Sequence, residues 1–502
     1  MNKKIIAYDL GTGGLKASLF SKEGALLAFE FEAYKTYNLA AHLQEQCPKD
    51  WWQCIIVATK KLIEKTGEDV NNIEALAISG HSLGVVALGE DGELLLDRTP
   101  IWSDKRAKKE ADEFFEGTDY EKWYMSTGNG FPAECYSIFK ILWYKNNMPE
   151  IYEKVKYFLG TKDYCNYLFT GRCVTDYSYA SGSGVYSLKN RDYDEEYIKH
   201  SGIDKSVLPE IIEAYDIVGT LTKEASEATG LPMSVKVACG GVDNSCMALG
   251  AGGFKDGHIY TSLGSSAWIA LSSYKPVLDF KTKPYVFAHV AKDMYASATC
   301  IFSAGTSLNW VLNNFFSSFE DKFKELEEGA SASVAGANGV FFNPSLAGGS
   351  MLEESSNICG AFAGLNLSHN KNDILRATLE GISLNLRVAL DELKKAETNV
   401  ESMLMVGGGA KSKLWLQLFA DIYGLKCIKT SIDQECASLG AAALAAVGVG
   451  MWDNFDRIEN QHIAEIEYSP RETEKAFYDK HLEKFRVLAH YMSKFGDILS
   501  KE

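Results

Sequence analysis

No Cys-x-x-Cys pair occurs among the 11 cysteines, which are scattered singly from Cys47 to Cys436. That spacing suggests neither a disulfide framework nor a zinc ribbon, and the thiols read as buried groups of a reducing compartment. Basic charge is also scarce: 51 Lys and Arg face 67 Asp and Glu, a net −16. A chain that neutralised nucleic-acid phosphates, or lay on an anionic membrane, would carry the opposite sign, so neither partner is expected. Long apolar runs are missing too. The longest, Ala437 to Trp452, has sixteen uncharged residues rich in Ala and Gly, short of the roughly 20 that span a bilayer. It reads as a core helix, the run ending at Asp9 is too short for a signal-peptide core, and a cytoplasmic location is expected. No Gly-Lys-Ser/Thr of a P-loop is present, and Lys16 stands where a dinucleotide fingerprint needs its third glycine. The nine histidines keep no metal-ligand spacing, and none is read as the base of a nucleophilic serine. A phosphate-bearing ligand would therefore be held by backbone N–H groups, a helix N-terminus or a metal ion.

What the chain does contain is 502 residues of average globular composition, enough for two to four domains. Strand, turn and helix alternate throughout, which indicates an α/β fold. A strand over 5–9, a Gly-rich turn and a strand over 15–20 open the chain. Helical periodicity runs from about Asp50 to Lys65, and a short apolar strand, 75–79, delivers the chain to Gly80-His81-Ser82-Leu83-Gly84. The turn at Leu10-Gly11-Thr12-Gly13-Gly14 is echoed half a chain later by Leu263-Gly264-Ser265-Ser266. The echo implies two similar domains of about 250 residues, 1–248 and 249–502, facing across a cleft.

Four segments carry chemistry. In Asp9-Leu10-Gly11-Thr12-Gly13-Gly14-Leu15-Lys16 the glycines let a backbone approach a ligand and turn N–H groups toward it. Asp9 could hold Mg²⁺, and Thr12 and Lys16 could reach phosphoryl oxygens. Thr261 to Ser266 could cradle phosphates from the other domain. Leu404 to Ala410 is an apolar strand running into three glycines on which a flat base could pack. Ala238-Cys239-Gly240-Gly241-Val242-Asp243-Asn244 exposes a carboxylate at the domain junction, where it could take a proton from an attacking hydroxyl. Taken singly, each also reads as an ordinary turn.

Together these residues resemble the FGGY carbohydrate kinases of the actin/hexokinase/Hsp70 superfamily, and within them the xylulokinase branch. Gly360-Ala361-Phe362-Ala363-Gly364-Leu365, Asp373-Ile374 and Ala377-Thr378-Leu379-Glu380 fit the second family signature without exception. Ser137, Lys140-Ile141, Trp143 and Asn146-Asn147 fit the first, from which Cys135 and Tyr144 depart. The resemblance implies two ribonuclease-H-like (actin-like ATPase) domains flanking a central cleft and closing over MgATP and a sugar. It implies that Asp243 is the general base and that Asp9, with Asp243, is linked to the metal. It places Gly11, Thr12, Gly13 and Lys16 on the phosphates from the first domain. Gly264, Ser265, Gly305, Asn309, Gly408, Gly409 and Lys413 would serve the nucleotide from the second. Trp102, Asp104, Asn244 and the segment His81, Ser82, Leu83 fall to the sugar. There the branch has Gly-Gln-Met-His-Gly, so the imidazole is displaced by two positions; in an extended segment residues 81 and 83 would share a face. D-xylulose or a related pentulose is the expected acceptor. Ribulose, fuculose, erythrulose or erythritol and, least of all, glycerol are the alternatives, followed by a nucleotide-switched binding protein on the same scaffold. A homodimer is compatible with this reading but not required by it.

Overall fold

The computed structural model describes residues 3–396, 399–433 and 435–501. Its first half is built on a seven-stranded mixed sheet. The central strand β1 (Lys4–Leu10) is buried at every residue but Asp9, as expected for a strand covered on both faces. On one side it is followed by β2 (Gly14–Ser21) and β3 (Leu26–Ala33), both antiparallel. On the other lie β4 (Ile73–Gly80) and, parallel to it, β6 (Lys236–Ala238), with β5 (Ile217–Thr220) antiparallel at the edge. The two-residue strand β7 (Gly241–Val242) pairs with the end of β4, Gly241 opposite Ser79.

The second half repeats the plan. Its central strand β8 (His258–Leu263) has β9 (Ala267–Ser273) and β11 (Tyr295–Ile301) as successive antiparallel neighbours, with β10 (Tyr285–Ala288) beyond. On the other side β12 (Ser402–Val406) and β13 (Lys426–Thr430) run parallel, and β14 (Ala464–Tyr468) closes the edge antiparallel. The Gly-turn echo in the sequence is thus the surface sign of two sheets with one topology.

Helices cover the faces. α1 (Pro48–Thr66) starts with Pro at N1, ends at a left-handed Gly67 whose N–H reaches Ile63, and buries Trp51, Ile55, Ala58 and Leu62 on the β2–β3 side. Two helices lie between the sheets: α2 (Asp243–Gly250) and, later in the chain, α6 (Cys436–Gly448). Eleven of the thirteen residues of α6 are buried, and its Ala and Leu side chains pack with Ile5, Ala7, Ala75 and Ala77 of the first sheet. A Cβ on Gly440 would strike the Cys246 carbonyl, and one on Gly250 the Cys436 carbonyl. These two glycines let the helix backbones touch. The uncharged run of the sequence is therefore a core helix, but its partner sheet is in the other half. The remaining helices used below are α3 (Gly305–Phe315), α4 (Lys371–Leu393) behind β9 and β11, and α5 (Lys413–Tyr423). Among the described residues no helix is long and apolar enough to cross a membrane.

Candidate active site

Topology gathers the acidic residues. Asp9 ends β1 beside Ser79 of β4, and Gly241 of β7 pairs with the same Ser79, so Asp243 emerges at the same crest as Asp9. The Ser79 hydroxyl donates to Asp9 Oδ1 at 3.1 Å, and the backbone N–H of Asn244 donates to Asp243 Oδ1 at 2.8 Å. Burial, and next the charge of Asp9, push the Asp243 carboxyl up to about 7. Burial also raises Asp9, opposed by Lys16, its cross-strand partner, and by Ser79. Two half-buried carboxylates at one crest, the charge of Asp9 discouraging ionisation of Asp243, fit a divalent cation held through one or two of them.

The first turn is braced from several directions. Gly11 N–H bonds the Gly14 carbonyl at 3.0 Å. Trp102 Nε1 donates to Thr12 Oγ1 at 3.0 Å, Gln46 Nε2 donates to the Thr12 carbonyl at 2.8 Å, and the Tyr34 hydroxyl donates to the Gly11 carbonyl. Because Trp102 occupies a lone pair of Thr12, the threonine proton stays free to donate. A Cβ at Gly13 would meet nothing within 4 Å, so the space before the turn is open. Gln46 and Tyr34 were not legible as site residues, since their partners are backbone carbonyls over 20 residues away in sequence.

In the second half Gly264, Ser265, Gly305, Asn309, Gly408 and Gly409 come together around one cleft of about 700 Å³, a size that suits a nucleotide. The carbonyls of Gly264 and Ser265 accept from the N–H groups of Gly305, Thr306 and Ala304 at 2.9–3.0 Å, so the turn sits on the start of α3. A Cβ on Gly305 would come within 2.5 Å of the Gly264 carbonyl oxygen. Gly407, at φ 91°, lies against the Leu263 backbone and donates its N–H to Asp433. Lys413 is the exception among the residues assigned to the nucleotide. It is exposed on the first turn of α5, whereas Lys411 and Ser412 line the cleft. The two halves meet at the start of α6, where burial, then the charges of Glu435 and Asp433, push the Cys436 thiol up and Lys16 of the first half opposes them.

Two expectations for the sugar side require correction. Residues 81–84 are not extended: Leu83 adopts φ 61°, and His81 and Leu83 enter different cores. The His81 ring lies edge-on to Trp51 at 5.6 Å, with both nitrogens buried and unpartnered, and burial followed by the charge of Lys140 lowers its pKa to about 4. Leu83 packs in the other cluster, with Val85 and Ala180. The segment is held by its carbonyls, His81 accepting from Thr161 Oγ1 at 2.6 Å and Leu83 from Lys140 Nζ at 3.0 Å. Asp104 does not offer its carboxylate to a ligand either. Oδ1 accepts from Arg106 N and Nε, and Oδ2 from Arg106 and from Gln44 N, all at 2.8–3.0 Å. It is fully buried, and every lone-pair position is used. Ser82 is nearly buried, and Asn244 sits beside Asp243 on the first turn of α2. Gly80-His81-Ser82-Leu83-Gly84 also has the Gly-x-Ser-x-Gly spacing of a serine nucleophile elbow. Here the positive φ falls on Leu83 rather than Ser82, and the unpartnered His81 orients no base toward the serine.

Fold and site together define a two-lobed phosphotransferase of the actin-like class. The N-terminal-domain model of the FGGY family of carbohydrate kinases matches residues 4–250, and its C-terminal-domain model matches residues 259–449. Xylulose kinase of Bacillus subtilis (strain 168) is 31% identical over 97% of this chain and 95% of its own length. Two solved structures from Lactobacillus acidophilus superpose closely, each at 26% identity. Gluconate kinase gives a TM-score of 0.90 over 99% of this chain and 100% of its own. Ligand-bound xylulose kinase gives 0.89 over 98% and 100%. The chain belongs to the FGGY family of carbohydrate kinases and is a sugar-phosphorylating enzyme for which ATP is the family's donor.

Proposed function

We propose that the chain transfers the γ-phosphoryl group of ATP to D-xylulose or a related pentulose, giving in the first case D-xylulose 5-phosphate and ADP. The observation that carries the chemistry is the convergence of Asp9 and Asp243 at one crest, with the Asp243 carboxyl raised to about 7. A carboxyl poised there accepts the proton of the attacking hydroxyl as the oxygen bonds to phosphorus and the bridging oxygen leaves with ADP. Asp9, with Asp243, would hold Mg²⁺, which neutralises charge on the phosphates when bound. The N–H groups of Thr12 and Gly13, the Thr12 hydroxyl and Lys16 meet the phosphates from one side, and the turn at Gly264 and Ser265 meets them from the other. Gly408, Gly409 and Lys411 border the space for the rest of the nucleotide. With no covalent intermediate to form, positioning and charge neutralisation carry most of the rate.

Gluconate is the second reading, favoured by the likeness to the Lactobacillus acidophilus gluconate kinase. An aldonate would need a cation for its carboxylate. The buried cations beside the sugar segment are committed elsewhere: Lys140 to the carbonyls of Leu83 and Ile101, and Arg106 to Asp104 and Glu45. That supports a neutral ketose. The test is a coupled ADP-release assay over D-xylulose, other ketoses and polyols, and D-gluconate. Turnover on D-xylulose that disappears in Asp243→Ala supports the proposal. Turnover on gluconate alone moves the substrate while keeping the base, and ATP binding without turnover on any acceptor sinks the kinase reading of this site.

A further inference from the structure

Behind the crest lies a group of buried charges that the chemistry above does not use. Lys162, Asp163 and Asp176 are all 0% exposed. Lys162 Nζ stands 2.5 Å from Asp163 and 3.0 Å from Asp176, and Thr175 Oγ1 adds a hydrogen bond to Asp163 at 2.7 Å. Desolvating ions costs several kcal/mol each, and apolar residues of like volume often serve stability as well or better. Such a cluster in the core therefore invites the question of what it fixes in place.

It fixes two segments at once. Asp176 caps the short helix Tyr177–Ser181, accepting from the N–H groups of Ser178 and Tyr179 at 2.8 and 3.3 Å and from the Ser178 hydroxyl. The same Ser178 oxygen accepts from Val242 N–H at 3.0 Å, one residue before Asp243. Lys162 Nζ and Asn166 Nδ2 take the Cys239 carbonyl, at 3.3 and 2.7 Å, so the strand leading to Asp243 is gripped at both ends. The next residue, Tyr179, points to the sugar segment. Its hydroxyl accepts from Gly84 N–H at 3.1 Å and from Thr161 N–H at 3.0 Å, and is 3.2 Å from the Gly84 carbonyl. Thr161 in turn holds the His81 carbonyl.

We infer that the helix Tyr177–Ser181, anchored through Asp176 to Lys162 and Asp163, is a spacer that sets the distance between the base Asp243 and the sugar segment His81–Gly84, with Ser178 and Tyr179 as positioning residues for one each. The inference rests on Asp243 being the base and on the turn 81–84, whose own side chains are buried, backing the sugar site. A purely structural cluster would make neighbouring variants alike, each losing activity only as it loses folded protein. A spacer separates them. Removing the Ser178 hydroxyl frees the strand of the base and lowers kcat, because a misplaced base acts only in the transition state; removing the Tyr179 hydroxyl loosens the sugar segment and raises KM.

The experiment measures kcat and KM for D-xylulose, D-ribulose and D-gluconate with saturating MgATP, on protein whose folded fraction is fixed by thermal melting. Ser178→Ala is expected to lose about tenfold or more in kcat with KM within about twofold, and Ser178→Thr, which keeps a hydroxyl, to recover most of it. Tyr179→Phe is expected to raise KM for the sugar about fivefold with kcat within about twofold. Should Ser178→Ala not fold, Ser178→Cys keeps the volume with a weaker acceptor and is read the same way. Both positions changing the same parameter, or neither changing either, overturns the spacer. Asp243→Ala is assayed alongside. If it keeps the wild-type kcat the base assignment has failed, whereas an inactive Asp243→Ala beside a wild-type-like Ser178→Ala removes the spacer alone.

Discussion

The two halves share a sheet topology and differ at the tip of the central hairpin. In the first, Asp9 pairs across the hairpin with Lys16; in the second, Ser262 and Trp268 hold the corresponding places. After the neighbouring parallel strand the first half inserts the buried segment His81–Gly84, whereas the second turns through Gly407–Gly409 directly toward α5. The duplicated scaffold thus carries a charged pair on one central hairpin and an uncharged pair on the other. A phosphoryl transfer needs both: carboxylates where a proton and a metal are handled, and uncharged N–H groups with close-packed glycines where a polyanion must be admitted without repulsion.

The comparison breaks most directly at Asp243. Asp243→Ala should lower kcat by about 10²–10⁴ while weakening nucleotide binding far less, because the cleft proposed for most of the nucleotide lies in the second half. An initial-rate assay paired with calorimetric ATP titration tests this. Importing the charge is the converse experiment. Ser262→Asp would set a carboxylate at the position of Asp9 on the neutral hairpin, and KM for ATP should rise about tenfold, or roughly 1.4 kcal/mol, with little change in KM for the sugar.

Charge placement also predicts a pH signature confined to one half. The folded Asp243 carboxyl sits near 7, above its unfolded value. The folded state therefore holds that proton to higher pH, and the stability it contributes is lost as pH rises toward 7. Free of nucleotide, Asp243→Asn should melt several degrees above wild type at pH 8, and the gap should shrink as pH falls toward 4. Ser262→Ala should show no pH-dependent gap in the same scanning calorimetry. The smallest effect separates two neighbouring lysines. Lys411→Ala should raise KM for ATP about threefold, and Lys413→Ala should leave it unchanged.

Much of this plan was legible because it rests on local chemistry. An apolar strand ending in Asp or in a Gly-Ser/Thr turn can be read from a few residues, and the repetition half a chain later revealed the twofold design. The second family signature was equally readable, yet its polar residues build a support and not the site. Asp373 forms a capping box with Asn370 on α4, and Glu380 is bonded to Arg376, Tyr478 and the Gly336 N–H. What escaped depended on long-range partners or on one backbone angle. Asp104 looks available until Arg106 and Gln44 fold onto it. Leu83 ends the supposed extended segment by a left-handed φ, without a glycine to announce it. Lys411 and Lys413 differ only in which side of a turn they fall on. Ser178 lies in a short helix, and only the folded chain brings it to Val242.

The placement of α6 has a consequence for how the molecule is made. Ile5, Ala7, Ala75 and Ala77 of the first sheet are covered by residues 439–446, synthesised about 360 residues later. At roughly 5–20 residues per second a ribosome needs on the order of 20–70 s to deliver that cover. Through that interval the nascent first sheet has one apolar face without its native lid, and the burden of keeping it from other chains falls on whatever shelters it near the exit tunnel.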